Sequence, residues 1–355
     1  MSHLRIPLLC SLILLTGAGC FGIGASKSAI NEKTDGGVFK TTDAGVHWSQ
    51  VVALPTSQGV ASISGTNILA MKMDPEDNQV LYLGMRESGM AYSYDAGASW
   101  QRPKSDAVRD GMIGDVAVDP KHVCTLYAIQ GQRLEKSTDC LRSFNAQTYV
   151  ESRPDVGLAR IAVDWYNDSV LWLGLTNGDL LKSDDAGNTW RKLTQAGASI
   201  QEILVNKKDS RIVLVATAGA GFYKTTDAGA TWTHSADELN NFPNSTRVFS
   251  LSEMKDSAVV LAATAYGLLR SKDFGSTWEG LTLITAPGQV LIETVGVDPN
   301  NADHIYYAAG QTFYSSADAG VTWKTSNLLT TRLPKTLLVD PVNPAIVYIG
   351  MVATK

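Results

Sequence analysis

The stretch TTDAGVHW, Thr41 to Trp48, returns six more times along the chain. The copies are SYDAGASW (Ser93 to Trp100), STDCLRSF (Ser137 to Phe144), SDDAGNTW (Ser183 to Trp190), TTDAGATW (Thr225 to Trp232), SKDFGSTW (Ser271 to Trp278) and SADAGVTW (Ser316 to Trp323). Their final aromatics stand 52, 44, 46, 42, 46 and 45 residues apart. A period of this size marks an array of one supersecondary unit, because each unit covers its apolar face only by stacking on the next.

A second pattern recurs upstream of each box: an apolar run ending near Asp-Pro, a polar turn, then another apolar run. Its clear copies begin at Met71, Val116, Val295 and Leu337, and weaker ones at Ile161, Ile203 and Leu251. Short runs of Val, Ile, Leu and Tyr separated by Asp, Asn, Pro and Gly read as strands and turns. Each unit is therefore four strands: A ending at the Asp-Pro, B after it, C running into the box, and D starting at the box aromatic. The long helical pattern that parallel crossovers need is absent.

The first strands of the array, Gly36 to Trp48, are a C and D pair, and the last, Lys335 to Val352, an A and B pair. Joining them makes a seventh unit and leaves no strand edge open. The expectation is an all-β, seven-bladed β-propeller over residues 36–353, with four antiparallel strands per blade and the last blade closed two-plus-two by both ends.

Within the boxes, Asp43, Asp95, Asp139, Asp185, Asp227, Asp273 and Asp318 are expected to accept backbone N–H bonds of their own turns. Gly at the fifth position permits a positive φ, and the terminal Trp covers the blade junction. One carboxylate per turn is too few for the six to eight oxygens of a calcium loop, so these are seven turn formers.

The box S/T-x-D-x-G-x-T-W resembles the Asp-box, or BNR, repeat of sialidases, xyloglucanase-type glycosidases, sortilin-type receptor domains and photosystem II assembly factors. The added Asp-Pro…Val-Tyr-x-Gly element is similar to the xyloglucanase and sortilin type, and one ring behind an export leader to the assembly factors. The resemblance implies the fold strongly and the function weakly, since Asp-box propellers serve many roles. A sialidase would carry an Arg-Ile-Pro segment on its first blade; here Arg5-Ile6-Pro7 lies in the leader. Xyloglucanase-type enzymes set two acids across a cleft between two propellers, and one ring is read here.

Arg5, the apolar run Ile6 to Leu15 and the small residues Thr16 to Gly19 read as a signal peptide over 1–19. Gly19-Cys20 resembles a lipobox, with Gly17 where Leu is usual. Cys20 would carry lipid, residues 20–35 would be a flexible tether, and Phe21 in place of Asp favours the outer membrane or cell surface. That leaves Cys124 and Cys140, both in the second blade, on neighbouring strand ends. They are expected to form a disulfide that supports the degenerate box with Leu141 and Phe144, worth roughly 3 kcal/mol for a loop of this length.

With 44% hydrophobic and 18% charged residues and a net charge of -5, the chain reads as globular and gives no sign of nucleic-acid binding. The five His lack paired Cys/His spacing, so no metal, cofactor or catalytic triad is expected. The A–B and C–D turns share a lower face, leaving the B–C and D–A loops above, where binding residues belong. The long D–A loops are read at 49–69, 101–114 and 145–158, with 233–247 close behind. Arg86, Arg109, Arg133, Arg153 and Arg160, with Tyr149 and Tyr266, are the candidate partner-binding set, suited to a carboxylate, a sugar acid or an acidic protein surface. Candidate acids are Asp106 with Asp110, Glu151 with Asp155, and Asp237 with Glu238. The reading favours an exported, lipid-anchored, monomeric and non-catalytic propeller that binds a protein or glycan partner. An Asp-box glycoside hydrolase is the alternative.

Overall fold

The structure, a computed structural model, describes residues 35–144 and 146–354. Seven antiparallel sheets stand radially, and each inner strand A touches that of the next blade until the seventh meets the first. The A strands of blades one to seven are Ile68–Met73, Asp115–Val118, Leu158–Val163, Ile200–Val205, Val248–Glu253, Thr294–Asp298 and Leu333–Val339. The chain is a seven-bladed β-propeller. Its seventh blade takes A and B, Leu333–Val339 and Val347–Val352, from one end of the chain and C and D, Val38–Thr41 and Ser49–Gln50, from the other.

Three local departures from the expected layout have physical causes. In blade one, strand D shrinks to a single bridge between Tyr92 and Gln101, and Pro103 removes the next donor. The 49–69 loop builds its own exposed hairpin, Ala53–Thr56 with Gly59–Ser62. The 145–158 loop is shorter than read, because Ala146–Val150 is strand D of blade two, and Tyr149 sits on it.

Each box is a closed circuit of hydrogen bonds. In blade three, Ser183 Oγ donates to Asp185 Oδ1 at 2.8 Å and accepts from Gly187 N at 2.9 Å, while Asp185 accepts from Thr189 N at 2.8 Å and Thr189 Oγ1 at 2.6 Å. Both central residues of every box are left-handed, the fourth as well as the fifth. Leu141 of blade two holds φ 65° where its counterparts are glycine, a conformation costing about 1–2 kcal/mol. In this same turn Cys140 is bonded to Cys124, and Cys140 N donates to Cys124 O at 3.1 Å, the backbone bond that Ala186 N makes to Ser169 O in blade three. The disulfide thus doubles a contact the other blades make through backbone alone.

Blades are pinned to neighbours by recurring side chains. Trp100 Nε1 donates to Val51 O at 2.9 Å, Trp190 Nε1 to Thr148 O at 2.9 Å and Trp323 Nε1 to Thr282 O at 2.8 Å, each reaching the outer edge of the preceding blade. In the other direction, Lys40 Nζ reaches Ala96 O at 2.9 Å and Lys224 Nζ reaches Asp273 O at 2.7 Å in the box of the next blade.

The ring's closure also carries a buried clasp. Arg332, 6% exposed, lies 3.4 Å from Asp35 Oδ1 and donates to Thr66 O, Asn67 Oδ1 and Gly65 O. Thr331 N and Oγ1 donate to Asp35 Oδ2 at 2.5 and 2.7 Å. Asp35, the last residue of the stretch read as a tether, is therefore a fixed part of the propeller. The expected signal peptide, Cys20 and the rest of the stretch read as a tether lie outside the described residues.

Candidate functional site

The upper face is the end of the ring opposite the boxes, formed by the B–C turns and D–A loops. Glu151 sits there beneath Arg153: Oε1 accepts from Arg153 N at 3.0 Å and Nε at 2.9 Å, and Oε2 from Arg153 Nη2 at 2.8 Å and the Tyr149 hydroxyl at 2.9 Å. Arg153 Nη1 also reaches Asp179 Oδ2 at 2.8 Å, and Lys192 Nζ lies 2.5 Å from Asp179 Oδ1. Hydrogen bonds from Arg153 hold the Glu151 carboxyl down at about 2. Burial pushes Asp179 up, but bonds from Lys192, Asn177 and Arg153 outweigh it and hold that carboxyl at about 2 as well. A general acid needs a pKa near the working pH, and a clamped, ionised Glu151 offers none.

The other nominated acids are spread out. Asp155, Asp237 and Glu238 are exposed. Asp106 pairs with Arg109 at 3.1 Å and Asp110 with Arg102 at 3.7 Å, both carboxylates open to solvent. Among the arginines, Arg109 also donates to Lys104 O, and Arg160 Nη1 to Ala159 O at 2.7 Å. The side chains of Arg86 and Arg133 make no hydrogen bond or ion pair with any described residue. Tyr266 is half-buried and meets Phe242 edge-on at 5.3 Å.

Arg86 and Arg133 belong to one continuous platform. The B–C turn of blade one is tied to the 101–114 loop by Gly89 N to Gly111 O (2.8 Å) and Ile113 N to Met85 O (2.9 Å). That loop is tied to the B–C turn of blade two through Gln130 Nε2 to Asp110 O at 3.1 Å. Met112, half-exposed, projects from the loop. On the other side of blade one from blade two, a shallow upper pocket of about 290 Å³ lies between blades six and seven, against Val290, Leu291, Leu333 and Pro334.

The axis of the ring is a channel of about 770 Å³ lined by the A strands. Strand register puts Ala70, Asp115, Arg160, Glu202, Ser250, Thr294 and Thr336 on one level. Five of these strands bulge just above it, turning one extra residue such as Phe249 or Lys335 toward the lumen. Opposite charges face one another loosely: Lys72 lies 4.0 Å from Asp115 and 3.8 Å from Glu202, Arg160 3.9 Å from Glu202, and Lys207 3.7 Å from Glu253. Burial pushes the Glu253 carboxyl up to about 7, against the pull of Lys207. Burial pushes the Lys335 ammonium down. For Lys72, Asp115 and Glu202 outweigh burial and push it up.

Sequence reading found Arg160 but missed Asp115, Glu202, Lys72, Glu253 and Lys335, having treated strand A only as apolar. The signal was available: Asp115, Arg160 and Glu202 each stand four residues before the Asp or Asn that ends strand A. Aligning the seven copies on that residue exposes a column in which charge replaces small polar or apolar residues.

A family model described as the DUF6242 beta propeller domain matches residues 142–337. The chain is 30% identical over 329 residues to the xyloglucanase Xgh74A of Acetivibrio thermocellus, covering 79% of this chain and 36% of that protein. It is 24% identical over 336 residues to a xyloglucanase of a Paenibacillus species, covering 80% and 30% respectively. The chain thus spans about a third of the length of these relatives. In structure it is similar to the GH74 xyloglucanase of Xanthomonas campestris, with TM-score 0.66, 18% identity and coverage of 86% of this chain and 52% of that one. It is similar also to YCF48 bound to D1 peptide, with TM-score 0.63, 14% identity and coverage of 88% and 100%.

Proposed function

This chain belongs to the DUF6242 beta-propeller family, and from that premise we propose that it is a non-catalytic docking module whose upper face binds an acidic, extended segment of a protein partner. The observation that carries this reading is the platform of blades one and two, whose hydrogen-bonded turns and loop carry Arg86, Arg133 and the half-exposed Met112, with neither guanidinium bonded to a described residue. A guanidinium fork recognises carboxylates bidentately, and an exposed thioether packs against varied apolar side chains. Arg109 at the rim of the same loop would add to the field, whereas Arg153 is committed to Glu151 and Asp179. Support for a peptide ligand also comes from the likeness in fold to YCF48, whose structure holds a D1 peptide.

The test is binding of the untagged chain to an array of acidic peptides, read against an Arg86→Ala/Arg133→Ala double variant. Binding that falls at least tenfold in the variant supports the platform, and unchanged binding removes it. A glycan ligand is a second reading, favoured by the sequence likeness to xyloglucanases. Release of reducing sugar from xyloglucan, lost on Glu151→Gln, would replace the docking reading with a hydrolytic one. The proposal includes export and a lipid tether through Cys20; a Cys20→Ser chain that stays in the membrane fraction counts against the tether.

A further inference from the structure

On the lower face, at the junction of blades two and three, three side chains converge that the docking reading does not use. Asp119 ends strand A of blade two, His122 follows in the same turn, and Asp168 lies in the matching turn of blade three. His122 Nδ1 is 2.9 Å from Asp168 Oδ2 and 3.7 Å from Asp119 Oδ2, and the three ligand atoms lie within 4.8 Å of one another.

Asp119 is 4% exposed. Its Oδ1 accepts the turn's own N–H groups, from Lys121 at 2.8 Å and His122 at 3.0 Å. Its Oδ2 accepts no hydrogen bond and faces the cluster. A carboxylate oxygen without a protein donor, on a residue with so little solvent contact, favours a cation opposite. The nearest lysine, Lys121, turns its Nζ away to Tyr166 O at 2.5 Å.

The ring supplies an internal comparison. Asp168 stands four residues past Asp164, the place that Asn78 holds four residues past Asp74 in blade one. There the junction is satisfied: Asn78 Nδ2 donates to both oxygens of Asp340 in the preceding blade, at 3.0 and 2.9 Å. At the junction of blades two and three the amide is replaced by a carboxylate, so that two anions meet where the other junction pairs an anion with a donor.

We propose that Asp119, His122 and Asp168 form a site for a late first-row dication of the Zn2+ class that bridges blades two and three. Two carboxylates and a neutral imidazole balance a double positive charge. An imidazole nitrogen with only two carboxylates suits zinc and its neighbours better than calcium, which takes six to eight oxygens. His122 is exposed, so the fourth position opens to solvent. This inference is independent of the upper-face platform, on the opposite side of the ring.

The experiment is calorimetric titration of the untagged, metal-stripped full chain with ZnCl2, with CaCl2 as the contrast and CoCl2 for its absorption spectrum, alongside thermal melts. Saturable one-to-one zinc binding is expected, weakened at least about tenfold in His122→Ala and Asp168→Asn, with His304→Ala unchanged. Asp168→Asn re-creates the amide of the Asn78 junction. It is therefore expected to fold, to melt higher than the metal-free parent and to gain nothing from zinc, while the parent's melting temperature rises. Absence of saturable zinc binding in the parent, or equal affinity in His122→Ala, overturns the site. So does a metal-free parent that melts as high as Asp168→Asn, because the three side chains would then be satisfied without an ion.

Discussion

On the lower face, Ser316, Asp318 and Gly320 of blade six repeat the bonds that Ser183, Asp185 and Gly187 make in blade three, with the Ser to Asp and Gly to Ser contacts at 2.8 Å in blade six. On the upper face the same two blades differ. Blade three there holds a four-charge lattice around Arg153 and Asp179, and blade six borders a shallow apolar pocket with Leu291. The lower turns satisfy their own backbone groups within one hairpin, so each copy is free-standing and can be repeated. The upper loops are held at their ends by strands that already pair, which leaves their middles free to diverge.

The clasp is where this contrast is broken most sharply, since it is an upper-face feature that the fold needs. Arg332→Ala would leave Asp35 buried without its guanidinium and three backbone or amide oxygens without donors. Loss of one partner from a buried pair typically costs about 3–5 kcal/mol. Urea denaturation should show that loss. A change under 1 kcal/mol would mean that the closing strands hold without the clasp.

The channel gives the next effect, with a defined sign. Glu253 has its carboxyl pushed up to about 7 by burial, from an ordinary value of 4.5. A raised folded-state pKa means that the native chain keeps a proton the unfolded chain has released. Its contribution is full below about 4.5 and is lost as pH rises to about 7, a swing of roughly 3 kcal/mol. Glu253→Gln should flatten the fall of stability across that window. The Arg153 lattice runs the other way: Glu151 and Asp179, held at about 2, contribute above their unfolded pKa values and lose that contribution as pH falls toward 2.

Blade two tests the lower face from within. Leu141 there bears a backbone conformation that glycine takes in the other boxes, and the bond from Cys124 to Cys140 fixes that turn. Reduction, or Cys140→Ser, should lower stability by roughly 3 kcal/mol, read as a drop in melting temperature with reductant. In blade three, Ser183→Ala would strip the buried Gly187 N–H of its acceptor and cost about 1–3 kcal/mol. Equal effects of Ser183→Ala and Ser316→Ala would show that the boxes are interchangeable in energy as well as in geometry.

Period and turn chemistry made the lower face readable from the sequence. Seven copies of the box gave the blade count, and the order of strand types at the two ends of the array gave the closure. What escaped were features set by the meeting of distant segments. Arg332 reads as an ordinary loop residue until Asp35 and Asn67 arrive from the other end of the chain. Asp115 and Glu202 read as strand residues until the ring brings Lys72 between them. Glu151 and Arg153 were both nominated, one as an acid and the other as a partner-binding cation. Only their mutual bonds, at 2.8 to 3.0 Å, reveal that each occupies the other.

The smallest expected effect on stability is the most informative for function. The Arg133 side chain is exposed and makes no hydrogen bond or ion pair with any described residue, so Arg133→Ala should leave stability within about 0.5 kcal/mol of the parent. Its charge lies at the end of the platform that includes Arg86 and Met112, and losing one bidentate carboxylate contact should weaken acidic-peptide binding severalfold. A side chain that folding does not require and binding does is what a docking face predicts. If instead Arg133→Ala lowered the melting temperature and left binding intact, the upper face of blade two would belong to the scaffold, as the lower face does.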